Sequence, residues 1–130
     1  ETENRLVVAL SDADLDLEAT STARSRLNLA NVLDTASQRN IPVLVVGPTP
    51  TLDEQRNARL AELNAAYLDV ADRRNHVYVD TFTPLVGHEQ WRSDLASGQG
   101  RPGQAGHGLI AWLVLHRGWY QWLGLPEPTA

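Results

Sequence analysis

The chain has 130 residues, 42% of them hydrophobic, and a formal net charge of −5. That is enough for one cored domain and too short for two ordinary ones; the acidic balance argues against nucleic-acid binding, which wants a concentrated basic surface. All basic residues are Arg, and there is no Lys or Cys, which excludes Schiff bases, lysine-bearing phosphate loops, thiolate nucleophiles, cysteine metal sites and disulfides, while leaving the compartment open.

Short β-rich runs alternate with longer helical stretches, the pattern of an α/β domain. Arg5–Leu10 (RLVVAL) reads as a buried strand, followed by the acidic run Asp12, Asp14, Asp16 and Glu18. Thr22–Arg39 reads as a helix with Leu29, Val32, Leu33 and Ala36 on one face. Pro42–Val46 (PVLVV) is a second buried strand, closed by Gly47-Pro48. Thr51-x-x-Glu54 has the form of a capping box and is expected to open a helix to about Arg74, with Leu60, Leu63, Tyr67 and Val70 inward. His76–Asp80 (HVYVD) is a third strand, and a short helix is expected around Glu89–Ala96. The last helix is expected over Gly103–Leu123, with Leu109, Trp112, Leu113 and Leu115 as its apolar face. Right-handed crossovers make the strands parallel and neighbouring, the middle one central. The longest apolar run, Leu109–Leu115, is far short of the roughly 18 residues a membrane span needs. Residues 1–125 are expected to form one domain and 126–130 a tail; with no Met in the chain, Glu1 is not expected to be a translational start.

Several stretches, in this order and at this spacing, resemble the SGNH/GDSL hydrolase (lipase/esterase) family: VVALSDAD, SRLNLANVLDTA, PVLVVGPTP, DEQRNARLAELNAAY, VYVDTFTPL and GRPGQAGHGLIAWLV. The resemblance implies a flavodoxin-like three-layer α/β/α fold with a parallel sheet flanked by helices. It covers the C-terminal two-thirds of such a domain. The family's nucleophile block, Gly-Asp-Ser, and its second block with an oxyanion glycine would lie upstream of Glu1, so a truncated sheet of three strands is expected.

The two later family blocks depart from their pattern. The third block is normally Gly-x-Asn-Asp, its Asn donating to the oxyanion. Here Ser11 stands for the Gly, Ala13 for the Asn, and Asp14 alone is kept. The last block is normally Asp-x-x-His-Pro, the His being the general base. With Pro102 setting the register, Gly98 stands for the Asp and Arg101 for the His. An arginine stays protonated and cannot take a serine's proton. Loss of one oxyanion donor alone costs about a hundredfold or more in rate.

Three readings follow. The first is a non-catalytic SGNH/GDSL-like domain, natural or engineered, with a structural or self-association role. A homodimer through Arg5–Leu10 is expected, because that strand would be a sheet edge with no charge, Pro or bulge to protect it. The second is an esterase with a rearranged site, using Ser11, Asp14, Asp80 and His107. The third is a metal-dependent phosphatase or binding module on Asp12 and Asp14; a solvated loop favoured by a helix dipole is the preferred account of that acidic run. No cofactor or metal is expected. His76 and His116 are read as structural and His88 as solvent-facing. Asp80 is read as a cap or loop brace. Trp112, Trp119, Tyr120 and Trp122 are read as core, with a partner-facing patch as the alternative.

Overall fold

A computed structural model describes residues 5–10 and 21–126. Its sheet has the order β1-β2-β3, with β1 Leu6–Ala9, β2 Val43–Val46 and β3 Val77–Val79. All pairings are parallel, Val8 opposite Val45 and Val45 opposite Tyr78. The middle strand is therefore central, as expected from the β-α-β-α-β order.

Helices lie on both faces. On one, α1 (Thr22–Gln38) and α2 (Glu54–Arg73) pack Leu29, Leu33, Leu63, Tyr67 and Val70 against Val43 and Val45. On the other, α3 (Phe82–Leu85), α4 (Glu89–Ser97) and α5 (Gln104–Val114) bring Leu85, Trp91, Leu95 and Leu113 onto Leu44 and Val79. Alternation along β2 thus feeds two cores, which is why all of Val43–Val46 is buried. The result is the three-layer α/β/α arrangement.

Four local expectations are corrected. The cap of α2 is Asp53, whose carboxylate accepts from the Gln55 and Arg56 amides. Thr51 instead joins Asn57, which accepts from the Thr51 amide and hydroxyl and donates to its carbonyl. An aspartate one residue before the helix outcompetes a hydroxyl three before it.

Val32 is 46% exposed, because it lies on the flank of α1 facing β1, where no described residue covers it. β1 itself is not buried: Leu6 is 41% and Val7 47% exposed, as befits an edge.

The last helix is not uniform. After α5 the chain makes a π-helical turn, Leu115–Trp119, and then α6, Tyr120–Leu123. Gly118 explains the site of this turn: a Cβ there would sit 2.5 Å from Val79 Cγ2 and 3.0 Å from Leu44 Cδ1. The backbone comes directly onto the sheet, and the extra residue per turn rotates the flanking side chains. Leu113 is buried and Trp122 packs on the second core, but Trp112, Leu115 and Trp119 face outward. The Trp122 carbonyl accepts from Arg5, whose guanidinium lies over the indole, joining the end of α6 to the start of β1.

Candidate functional site

In a parallel α/β sheet, ligand sites lie beyond the C-terminal ends of the strands. Ser11, Ala13 and Asp14, with the rest of the acidic run, lie outside the described residues. The loops after β2 and β3 are described, and they are closely braced.

Thr81, wholly buried, points its hydroxyl at the carbonyls of Gly47 and Pro48, 2.9 and 3.1 Å away. Trp91 Nε1 donates to the Pro50 carbonyl at 3.1 Å. These carbonyls lie outside the sheet ladder, and side chains from the loop after β3 and from α4 satisfy them.

Asp80 ends β3. Its Oδ1 accepts from the amides of Phe82 and Thr83, capping α3, and from Asn64 Nδ2 at 3.1 Å. Asn64 Oδ1 in turn accepts from the Tyr78 hydroxyl at 2.6 Å. Burial, and then the Asp80 charge, push the Tyr78 phenol well above its ordinary value, so it stays protonated and keeps the hydrogen it donates. The chain fits against Gly47, where a Cβ would lie 2.1 Å from the Tyr78 oxygen. This geometry orients Asp80 as a brace.

Gly98 and Arg101 lie in the turn between α4 and α5. Gly98 closes α4, its amide bonding to the Asp94 carbonyl, and the Arg101 amide bonds back to Gly98. A Cβ on Gly98 would stand 2.2 Å from the Arg101 carbonyl oxygen. The turn as folded has no room for an aspartate at that position.

Asp94, which sequence reasoning passed over, governs the next element. Its Oδ2 accepts from the Gly103 amide at 2.6 Å and the Gly106 amide at 2.9 Å. It caps α5 from outside, because the residue at the cap position is Gly103, with no side chain to do so. Gly106 permits the approach, since a Cβ there would meet Asp94 Oδ2 at 2.5 Å and Pro102 Cβ at 2.8 Å. His107 follows in the first turn of α5, exposed and with no side-chain partner among the described residues. His88 caps α4, Nδ1 accepting from the Trp91 amide.

A serine–histidine contact lies at the opposite end of the sheet. Ser37 Oγ lies 2.9 Å from His76 Nε2, and the Val43 amide donates to His76 Nδ1. Because Nδ1 must be the acceptor, the proton sits on Nε2 and is donated to the serine. This tautomer cannot receive a serine proton, and desolvation holds the imidazole pKa below its usual value. Asp34 beside it is paired with Arg74 at 2.8 Å. The contact is structural. Among the described residues, no group of three or more His, Cys, Asp or Glu side chains is placed to hold a metal ion, and no helix is long and apolar enough to cross a membrane.

The sheet order and the helices on both faces define a three-layer α/β/α domain. Residues 6–109, four-fifths of the chain, match the GDSL-like Lipase/Acylhydrolase family. The chain belongs to that family. A search of curated proteins found no match.

Proposed function

We propose that this chain is a GDSL-hydrolase-like domain that carries out no serine-hydrolase chemistry and serves as a structural, self-associating module. The observation that carries the reading is the turn at Gly98–Arg101. An arginine occupies the position of the family's base, and the position of its orienting aspartate is closed to any side chain by the Arg101 carbonyl. A serine without a neighbouring base does not attack an ester at neutral pH. Ala13 in the oxyanion block has no donor to offer, His76 is the wrong tautomer, His88 caps α4, and His107 has no carboxylate partner among the described residues.

Self-association is supported by β1, which among the described residues has no neighbour on its outer side, with Leu6 and Val7 exposed and no charge within Leu6–Ala9. The test of the catalytic half is a fluorophosphonate probe together with a p-nitrophenyl ester assay. No labelling and no turnover are expected. Labelling that disappears on heat denaturation would overturn the reading. Family membership favours a second reading, an esterase with a rearranged site, and turnover lost in Ser11→Ala or His107→Ala would establish it.

A further inference from the structure

The two helices on the first face of the sheet end in the same way. α1 leads into β2 through a Schellman turn: the Ile41 amide donates to the Ala36 carbonyl and the Asn40 amide to the Ser37 carbonyl, with Asn40 left-handed at φ 57°. α2 leads into β3 by the same pair of bonds, His76 to Ala71 and Asn75 to Asp72, with Asn75 at φ 58°. The residue that closes such a turn ordinarily makes an apolar contact with the helix it leaves. Ile41 does so, packing on the first core. In the second turn the same position holds an imidazole, half-buried.

That ring supplies a rung the strands themselves do not make. In a parallel ladder each residue turns both peptide groups to one side, and successive residues alternate. Pro42 faces β1, where the Leu6 amide takes its carbonyl, so Val43 faces β3. Its N–H lies one residue before the first β2–β3 pair, Leu44 opposite Val77, at a level where the neighbouring chain is still turning through Asn75. His76 Nδ1 accepts this amide at 3.2 Å, and Nε2 donates to Ser37 Oγ in the last turn of α1 at 2.9 Å. One imidazole thus ties the α2–β3 turn to the start of β2 and to the end of α1.

We propose that His76 is an acid-operated latch whose protonation releases the α2–β3 turn from the start of β2. With Nε2 already carrying a hydrogen, a second proton can go only to Nδ1, the accepting atom, and there it sets N–H against N–H. The Val43 amide loses its acceptor, while the bond to Ser37 survives. The closed form excludes this proton and the open form takes it up, so acid favours opening. The charged groups facing the ring are Asp34 from α1 and Arg74 from the end of α2, and they are paired with each other at 2.8 Å; Val43–Val46 and Val77–Val79 bring no charge. Desolvation is the largest influence and lowers the imidazole pKa, with Arg74 acting the same way and the Leu33 carbonyl and Asp34 acting against them. The latch is therefore fully closed above about pH 6.5 and is released as pH falls through the lower folded value. It depends on neither the catalytic nor the self-association reading.

Amide exchange of the full chain reads the latch, expressed as protection over the intrinsic rate so that the pH dependence of exchange itself cancels. Protection of the Val43 amide is expected to fall about fivefold, the worth of one hydrogen bond, between about pH 7.5 and pH 5. Protection of the Ile41 amide, in the sister turn, is expected to stay the same. His76→Ile gives the second turn the residue of the first, and His76→Gln keeps a side-chain acceptor that does not titrate; in both, Val43 is expected to be equally protected at the two pH values. Imidazole nitrogen resonances are expected to show the hydrogen on Nε2 at neutral pH. A hydrogen on Nδ1 overturns the latch, as does Val43 protection that is constant in the unaltered chain, that falls together with Ile41, or that falls equally in whichever variant folds. If neither variant folds, the comparison of Val43 with Ile41 in the unaltered chain decides by itself.

Discussion

Removing the carboxylate of Asp94 tests how the turn between α4 and α5 is held. Both bonds from Asp94, to the Gly103 and Gly106 amides, end on the same oxygen. Asp94→Ala therefore strips the first turn of α5 of its only described side-chain cap and leaves two N–H groups facing an apolar methyl. Loss of a side-chain cap costs about 1 kcal/mol, and removing a negative charge from a helix N-terminus adds about 0.3–1 kcal/mol. A total of about 2 kcal/mol is expected, which for a domain of this size lowers Tm by roughly 8 °C.

Asp94→Asn separates the two contributions, because one amide oxygen can occupy the same point and accept both bonds. It should cost less than about 1 kcal/mol, the charge component alone. Urea unfolding followed by circular dichroism gives both numbers, and hydrogen exchange at the Gly106 amide reports the cap directly. If Ala and Asn variants lose equal stability, or if exchange at Gly106 is unchanged in Asp94→Ala, the external cap is not what holds α5.

Three further outcomes are expected. Gly118→Ala sets a methyl 2.5 Å from Val79 Cγ2 and should destabilise by about 1–3 kcal/mol, the usual cost of overpacking; an unchanged urea midpoint would show that the π-helical turn yields freely. Tyr78→Phe leaves the Asn64 Oδ1 acceptor without the phenol and should cost about 1–3 kcal/mol, while ultraviolet titration should show two phenols in the unaltered chain, Tyr67 and Tyr78, ionising above the ordinary tyrosine value, and one of them missing in the variant. For His76 the folded pKa is lowered below 6.5 by desolvation, so the unfolded chain binds the proton first. Its contribution is then complete above about pH 6.5 and is lost as pH falls through the lower folded value; His76→Gln should flatten the stability profile in that window, and an identical slope would refute the assigned tautomer.

Much of the architecture was legible in the sequence because it depends on periodicity. Four consecutive apolar residues, Val43–Val46, between two helical patterns can only be an inner strand covered on both faces. Leu60, Leu63, Tyr67 and Val70 recur at the spacing that turns α2 toward it. Membership of the family was equally local, carried by short stretches in a fixed order, and residues 6–109 match its model.

What tertiary structure alone decided are contacts between residues far apart in the chain, which leave no periodic trace. Asp94 reaches past the turn to cap a helix whose own cap residue is glycine. Asn64 joins Tyr78 to Asp80, and His76 takes the Val43 amide and so keeps its proton on the wrong nitrogen for catalysis. The last helix failed as a helical wheel for the same reason. Its apolar residues predict one buried stripe, but the sheet accepts backbone at Gly118. The π-helical turn made there puts Trp112 and Trp119 outside and Trp122 against the core, because close packing selects the residue with no side chain before it selects the most hydrophobic one.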